Sequence, residues 1–223
     1  MRTLVAVPVK DLANAKQRLI PALSGEERRA LARAMLEDVL LALGEALPGA
    51  VFVVTTDPEV MALARQYGAS CLVETINRGH TEAVAFAQRY FRALGATRFL
   101  TVPGDVPCAT ADEVRTVLGA LGEGPGSLFV PSASGFGTNA VLLAPPSIMP
   151  LKFGEPSFDN HLEAARQRGL SPAVLRLPGI GLDIDAPEDL ALLRDRGPRT
   201  RTAALLRAWD DNRGGRLLAI RAD

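Results

Sequence analysis

The chain has 223 residues, enough to bury a substantial core in one large domain or two small ones. Its 25 basic and 25 acidic residues balance, so the molecule as a whole offers no general attraction to nucleic acid or to an anionic membrane. With two cysteines and no apolar run long enough to span a bilayer, we expect a cytoplasmic protein without a disulfide framework, a zinc site or a membrane anchor.

Short apolar runs rich in Val and Leu alternate with longer segments of helical period along most of the chain. This alternation is typical of a mostly parallel sheet covered by helices, so we predict an α/β fold. The predicted strands are residues 3–8, 50–55, 70–73, 98–102, 127–131, 140–144 and 173–177. The predicted helices are residues 24–47, 58–67, 81–94, 158–168 and 187–194, with a further helix beginning at 110.

Capping patterns support two of these helices. Ser24 with Glu27 matches a capping box, and Thr110 with Glu113 repeats the pattern before the fourth helix along the chain. No stretch has the composition of a linker, so residues 1–193 are predicted to form one domain.

The composition changes from residue 194 onward. Residues 194–223 contain eight arginines, and Asp195, Asp210, Asp211 and Asp223 are their only acids. We interpret 194–223 as an extension in which TAALLRAW forms an amphipathic helix that docks on the body or on a second subunit of a homodimer. The alternative is a frayed, solvated tail.

The segment after the first strand, VPVKDLANAKQRL at residues 7–19, concentrates positive charge. Two of the three lysines, Lys10 and Lys16, lie there with Arg18. In open α/β sheets ligands bind beyond the carboxyl ends of the strands, so these side chains would face the binding crevice. The segment has the glycine pattern of neither a Walker loop nor a dinucleotide fold. Side chains rather than backbone amides would therefore meet a phosphate, unless the three cations are simply solvated.

Three aspartates are candidates for a metal site. Asp105 follows the apolar strand in LTVPGDVP, where its carboxylate could hold Mg²⁺ or bond to its own turn. Asp183 and Asp185 project to the same side of an extended segment. Asp185 could instead cap the next helix together with Glu188. Asp183 needs a partner because it follows buried-type residues, and a metal shared with Asp105 is the sharper candidate.

Two motifs in the second half could contact a ligand. In SGFGTNAVLLAPP, Gly135 and Gly137 would let the backbone turn tightly and approach a ligand before Thr138 enters an apolar strand, although a hairpin would show the same pattern. In FGEPSFDNHLEAA, Gly154 and Ser157 precede a predicted helix. The free N–H groups of that helix could bind an anion, with Ser157 capping the helix or touching the anion.

The ordered set of motifs resembles a known family. V-P-V-K followed by A-K-x-R-L, P-x-D-x-P, G-x-G-T-N, F-G-x-x-S-F-x-x-H and L-D-I-D-x-P-E-D-L is similar to the CofC-type guanylyltransferases of deazaflavin coenzyme F-420 biosynthesis, over residues 3–193. Members of that family use 2-phospho-L-lactate in archaea and phosphoenolpyruvate in bacteria. The resemblance implies a Rossmann-like nucleotide-diphospho-sugar transferase fold, with a mostly parallel sheet and helices on both faces.

The resemblance also implies a reaction and a set of site residues. A phosphate of phosphoenolpyruvate, 2-phospho-L-lactate or 3-phosphoglycerate would attack the α-phosphorus of GTP, pyrophosphate would leave, and the product would pass to a downstream transferase. The implied catalytic residues are Lys10, Lys16, Asp105 and Asp183. The nucleotide-binding set is Pro8, Lys10, Lys16, Arg18, Thr81 and Asp105. The acceptor-binding set is Thr138, Gly154 and Ser157, and Mg²⁺ would be held by Asp105, Asp183 and Asp185.

One stretch departs from the family pattern. GHTEAV at residues 79–84 has Thr81 where the family usually has an asparagine that contacts the nucleotide, which leaves the preference for guanine open. His80 could contact the ligand or be a capping or surface residue, and His161 fits the family pattern without an assigned role. One rival prediction is a molybdenum-cofactor cytidylyl- or guanylyltransferase, whose usual glycine-rich first loop is missing here. The other is a nucleotide-binding module without catalysis.

Overall fold

The computed structural model describes residues 1–74, 76, 78–196, 199–215 and 217, and a seven-stranded sheet runs through them. The strands are β1 (Thr3–Pro8), β2 (Val51–Thr55), β3 (Ser70–Val73), β4 (Arg98–Thr101), β5 (Gly126–Pro131), β6 (Thr138–Ala144) and β7 (Ala173–Val174). Their order is β3-β2-β1-β4-β6-β5-β7. All neighbouring pairs are parallel except those of β6, which runs antiparallel to β4 and β5. The predicted α/β fold with a mostly parallel sheet is confirmed.

Helices cover both faces of this sheet. They are α1 (Gly25–Ala46), α2 (Pro58–Gln66), α3 (His80–Ala93), α4 (Ala111–Gly119), α5 (Ser157–Arg166), α6 (Pro187–Arg196) and α7 (Arg201–Asn212), with a 3-10 turn at Gln17–Leu19. Helices α3 and α5 pack on one face, whereas the other α-helices pack on the opposite face.

The two faces form separate apolar cores because side chains alternate along each strand. In β1, Val5 and Val7 belong to the core under α1, while Leu4 and Ala6 belong to the core under α3. All four are buried. A central strand with apolar residues in consecutive positions is expected when both faces of a sheet are covered.

The caps predicted at Ser24 and Thr110 are present, and so are all seven predicted strands. The Ser24 hydroxyl accepts from the Glu27 amide while the Glu27 carboxylate accepts from the Ser24 amide, which completes the capping box of α1. The strand predicted at 173–177 is shorter, because it pairs only with β5 at the edge of the sheet and its ladder ends at a bond from the Leu175 amide to the Phe129 carbonyl at 3.1 Å.

Strands β5 and β6 form a hairpin, as the alternative interpretation of the SGFGTN motif predicts. Gly135 lies in its turn with φ 80°, a left-handed conformation that favours glycine. The ladder contains a bulge, since Val130 pairs with Ala140 but Pro131 pairs with Thr138, which leaves Asn139 as the extra residue. A bulge re-aims side chains locally.

The arginine-rich extension contributes a docked helix. The carboxylate of Asp38 in α1 accepts from the amides of Arg201 and Thr202 and from the Thr202 hydroxyl, at 2.9, 2.9 and 2.6 Å. Helix α7 is thereby fastened to the body at its first turn. The predicted boundary after residue 193 falls inside α6, and the division into two units stays a prediction. The end of the extension, at 216 and 218–223, lies outside the described residues. In the part of the chain that the structure describes, every helix is too short or too polar to cross a membrane.

Candidate active site

A cleft of about 420 Å³ opens beyond the carboxyl ends of β1 and β4. Its wall includes six predicted site residues, namely Pro8, Lys10, Lys16, Arg18, Asp105 and Asp185. The side facing α1 is apolar, with Leu12, Met35 and Leu36 among its lining residues. The cleft thus joins a charged wall to an apolar one, which suits a ligand with an anionic end and a flat, less polar end.

The first loop is held in place by short polar side chains. The Leu12 amide donates to Asp57 Oδ2 at 3.0 Å, and the Asn14 amide donates to Asp11 Oδ1 at 2.7 Å. The carboxylate of Asp57 also caps α2. One carboxylate at the end of β2 therefore fixes both a helix and the loop after β1.

Lys16 has an unusual backbone conformation for a residue other than glycine. Its φ of 54° and ψ of 47° place it in the left-handed region, which costs a non-glycine residue about 1–2 kcal/mol. This conformation directs the ammonium into the cleft wall, where Nζ lies 2.6 Å from Asp105 Oδ2 and 2.8 Å from Asp185 Oδ1. The side chain is 8% exposed. Strained backbone of this kind is concentrated at functional sites.

Charge interactions determine the protonation of this cluster. Burial alone would lower the pKa of Lys16, but the charges of Asp105 and Asp185 outweigh it and raise the pKa above its ordinary value. Burial would likewise raise the pKa of Asp105, and the neighbouring Lys16 ammonium instead lowers it. Lys16 and Asp105 are both ionised at neutral pH.

Asp183 has a different environment. Burial raises its pKa, the charges of Asp105 and Asp185 raise it further, and a hydrogen bond from Asn139 opposes them. Asn139 Nδ2 donates to Asp183 Oδ1 and to the Ile180 carbonyl, each at 3.0 Å. Among the described residues, no Lys or Arg nitrogen lies within 4.0 Å of this carboxylate. The sequence predicts that the buried carboxylate of Asp183 needs a partner. That partner is the side-chain amide of Asn139, the extra residue of the β-bulge.

The three predicted metal ligands lie at one edge of the sheet, but they have different partners. Asp105 and Asp185 pair with Lys16, whereas Asp183 accepts a hydrogen bond from Asn139. The Ile184 amide donates to the Asp105 carbonyl at 3.1 Å, which brings the segment of Asp183 and Asp185 beside the end of β4. Lys16 lies between Asp105 and Asp185. Within the described ranges, no three acidic, histidine or cysteine side chains converge as a metal-binding group.

The alternative interpretation of Asp185, as the cap of α6, is wrong. The Asp189 carboxylate instead accepts from the amides of Asp185 and Ala186, both at 2.8 Å. The Asp185 carboxylate is engaged by Lys16 in the cleft wall. Its proximity to Lys16 could not be read from local spacing, because the two residues are far apart in the chain.

The predicted acceptor-binding residues meet where β6 begins. Because β6 is antiparallel to its neighbours, its first residue lies at the same edge as the carboxyl ends of the parallel strands. Ser157 Oγ donates to Thr138 Oγ1 at 3.2 Å, and both side chains are buried. Ser157 does not cap α5, whose N-cap residue is Pro156. Gly154 is exposed in the preceding loop, with φ 112°.

The remaining predicted contacts lie around the start of α3. The Thr81 hydroxyl accepts from the Phe153 amide at 2.9 Å, so it fastens the loop that contains Gly154. His80 lines the cleft, and its ring lies 4.4 Å from that of Phe153. Burial lowers the pKa of His80 to about 4, and burial does the same to His161. Both imidazoles are neutral at pH 7 and are weak bases.

Comparison with solved structures shows the fold. A chain from Desulfovibrio desulfuricans G20, described as a candidate nucleotide-diphospho-sugar transferase, superposes with a TM-score of 0.77 at 18% identity, over 96% of this chain and 97% of that one. The predicted nucleotide-diphospho-sugar transferase fold is confirmed.

Comparison with curated sequences shows the family. The chain is 39% identical over 197 residues to the phosphoenolpyruvate guanylyltransferase of Rubrobacter xylanophilus, covering 88% of this chain and 96% of the relative. It is 36% identical over 194 residues to the 3-phospho-D-glycerate guanylyltransferase of Colwellia psychrerythraea, covering 86% and 91%. It is 34% identical over 207 residues to the 2-phospho-L-lactate guanylyltransferase of Methanothermobacter thermautotrophicus, covering 93% and 91%.

The family model described as "Guanylyl transferase CofC like" matches residues 3–210. This match extends through α6 and into α7, so it includes the cleft, the three aspartates and the Thr138 region. Together with the relatives above, it confirms the resemblance seen in the ordered motifs. The chain belongs to the CofC-like guanylyltransferase family.

Proposed function

We propose that this protein transfers GMP from GTP to the phosphate of a small phosphorylated carboxylic acid and releases pyrophosphate, as a step in deazaflavin coenzyme biosynthesis. The main structural support for this proposal is the buried Lys16 ammonium, which lies between Asp105 and Asp185 in the wall of a cleft of about 420 Å³. The relatives named as guanylyltransferases support the same reaction.

The charged wall of the cleft suits a triphosphate. Lys10 and Arg18 line it, and within the described residues no carboxylate oxygen lies within 4.0 Å of either side chain. These cations are therefore available to an anionic ligand, whereas Lys16 is engaged by two acids. We assign Lys10 and Arg18 to phosphate binding, with the apolar wall near Met35 and Leu36 available to the nucleoside.

The reaction does not need a general base. A phosphate monoester has a second pKa near 6 and is mostly dianionic at neutral pH, so the acceptor is already a nucleophile. The neutral, weakly basic imidazoles of His80 and His161 are consistent with this view. The chain must instead bring two anions together and stabilise the charge that develops on the leaving pyrophosphate. Lys10 and Arg18 are the residues we assign to that task, while Lys16 holds Asp105 and Asp185 in the cleft wall.

The neighbouring carboxylates of Asp183 and Asp105 are the donors available to a divalent cation. Asp183 is buried, has a raised pKa because of burial and two neighbouring acids, and has no cationic partner among the described residues. Mg²⁺ commonly uses only one or two protein carboxylates and completes its shell with water and phosphate oxygens. We assign Asp105 and Asp183 to Mg²⁺, with Asp185 as the third acid. The ion would neutralise phosphate charge and stabilise the leaving group.

The acceptor is a class rather than one compound. The three relatives act, by name, on phosphoenolpyruvate, 3-phospho-D-glycerate and 2-phospho-L-lactate, which share a phosphate and a carboxylate. Thr138, Gly154 and Ser157 are the residues we assign to these shared groups. The cytoplasmic location, a homodimer and transfer of the product to a downstream enzyme stay predictions.

An assay with purified protein, Mg²⁺ and GTP tests this function. Each of the three acids is added separately, pyrophosphate is measured, and the product is identified by mass. We expect release with at least one acid and a product containing GMP. CTP in place of GTP tests the preference for guanine and the molybdenum-cofactor alternative. GTP binding without pyrophosphate release from any acid would favour a binding module.

Asp105→Asn is the decisive variant of the same assay. It removes a charge that Lys16 and the proposed metal both use, so kcat should fall by at least about 10²-fold. Asp112→Asn is the matched control, because Asp112 is an exposed acid on α4, with its side chain 91% exposed. Near-normal activity in Asp105→Asn would overturn the metal and leaving-group assignment.

A further inference from the structure

His161 is a buried imidazole that is enclosed by aromatic rings. It is 2% exposed, and its ring stacks on Phe129 with 5.6 Å between centroids and 13° between planes. The Phe153 ring meets it edge-on at 5.1 Å. The ring therefore has one fixed orientation, and its two nitrogens point to fixed partners.

Those partners determine the tautomer. The Lys152 backbone amide donates to Nε2 at 3.1 Å, so Nε2 carries no proton. A neutral imidazole must then carry its proton on Nδ1, which lies 3.0 Å from Thr138 Oγ1. Burial keeps the ring neutral by lowering its pKa to about 4. His161 is therefore a hydrogen-bond donor to the Thr138 hydroxyl.

The Thr138 hydroxyl receives a second hydrogen bond. Ser157 Oγ donates to it at 3.2 Å, on top of the bond from His161 Nδ1. A hydroxyl has two acceptor lone pairs and one proton to donate. With both lone pairs in use, the proton of Thr138 must point away from Ser157 and His161. Thr138 is 7% exposed and has no further hydrogen-bond partner among the described residues, so its proton is available to a ligand.

We propose that His161 is a positioning residue for the acceptor: it fixes the Thr138 hydroxyl as an outward donor to an anionic group of the phosphorylated acid. This inference rests on the proposed function, because it takes Thr138 as an acceptor-binding residue. The same ring also holds the backbone at Lys152, two residues before Gly154. One neutral side chain thus aligns both parts of the acceptor site.

A matched pair of substitutions separates the two bonds of His161. His161→Asn places an amide N–H near the position of Nδ1 and keeps a donor to Thr138. His161→Gln places its amide oxygen near the position of Nε2, so it keeps the bond from Lys152 and loses the donor. We expect His161→Gln to raise KM for the acceptor about tenfold and leave KM for GTP within about twofold. His161→Asn should recover most of the acceptor affinity.

A double-mutant cycle with Thr138→Val tests the route of the effect. If His161 acts through the Thr138 hydroxyl, His161→Gln should add little to KM for the acceptor in the Thr138→Val background. Full additivity, or an equal rise in KM for GTP and acceptor in His161→Gln, would overturn the proposal. Wild-type turnover is measured first. Its absence with all three acids would refute the proposed function and the inference with it.

Nitrogen-15 NMR of the wild-type protein provides evidence that does not depend on a variant folding. We expect a protonated Nδ1 in His161 whose resonance moves when the acceptor is added and moves little with GTP alone. A proton on Nε2, or an Nδ1 resonance that ignores the acceptor, would contradict the assignment.

Discussion

The first loop and the segment around Thr138 lie at the same edge of the sheet, yet they present ligands with different kinds of groups. In the first loop, cations line the cleft and Lys16 forms two buried ion pairs. Around Thr138, the side chains are neutral and linked by hydrogen bonds. A triphosphate can be gripped by charge alone, whereas choosing among similar small acids requires directional bonds of about 1–3 kcal/mol each. The difference suggests that the first region binds strongly and the second discriminates.

Replacing Lys16 is expected to have the largest effect on activity. Lys16→Met leaves Asp105 and Asp185 without their shared cation, so we expect kcat to fall by about 10²–10³-fold. Lys10→Met also removes a positive charge, but Lys10 is exposed and engages neither acid. Its main effect should be a rise in KM for GTP. Steady-state kinetics with both substrates distinguish the two variants, and equal losses in kcat would contradict the special role of Lys16.

Asp183→Asn is expected to separate stability from activity. The folded-state pKa of Asp183 lies above its ordinary value of 3.8, because of burial first and of neighbouring acids second. Between those two pKa values the native state binds more protons than the unfolded state, so the free energy of unfolding falls as pH rises through that window. The resulting penalty is absent below the ordinary value of 3.8 and reaches its full size once the pH exceeds the raised folded-state pKa. Asp183→Asn should therefore raise Tm at pH 7 by on the order of 2 °C while activity falls.

Thermal melts between pH 4 and pH 8 test this sign. The gain in Tm for Asp183→Asn should shrink toward pH 4, and Asp112→Asn is the exposed control. Asp105→Asn should behave oppositely, since Lys16 lowers the pKa of Asp105 and the ionised form stabilises the fold at neutral pH. Mg²⁺ should raise the Tm of the wild type more than that of Asp183→Asn. A destabilised Asp183→Asn at pH 7 would refute the view that this carboxylate is strained without a cation.

Local patterns predicted most of the fold because local forces determine it. The capping box at Ser24 and the continuous apolar run of β1 act within a few residues, so a sequence reveals them. The first loop could be placed at the sheet edge from strand order alone. Residues such as Lys10 and Asp105 were therefore predictable as neighbours of one cleft, and both line it.

The parts that escaped prediction depend on contacts between distant segments. Asn139 is the extra residue of the bulge in the β5–β6 ladder and bonds to Asp183, and the apolar run of β6 does not reveal that bulge. The bond between His161 and Thr138 joins residues 23 apart in the chain. The available signals were the asparagine in G-x-G-T-N, a polar residue in a largely apolar strand, and the histidine in F-G-x-x-S-F-x-x-H, which lies on the buried face of α5 with Phe158 and Leu162.

The smallest expected effect on activity comes from a substitution in the arginine-rich extension, which contacts the segment that follows the first loop. After α7, Arg213 Nη1 donates to the Ala22 carbonyl at 2.9 Å and Nη2 lies 2.5 Å from Glu27 Oε1. These bonds hold the chain just after the 3-10 turn that follows Lys16. Partly exposed ion pairs contribute about 0.2–1 kcal/mol, so Arg213→Ala should raise KM for GTP by about twofold.

The acceptor site lies away from this support, which makes Arg213 a probe of one half of the cleft. KM for the acceptor and kcat should stay unchanged in Arg213→Ala, because Thr138 bonds to Ser157 and His161 of α5 rather than to the extension. Arg207→Ala is the matched control, since Arg207 is exposed on α7. If Arg213→Ala weakened both substrates equally, the two regions would be mechanically coupled, and the separation between a charged binding half and a neutral selecting half would have to be abandoned.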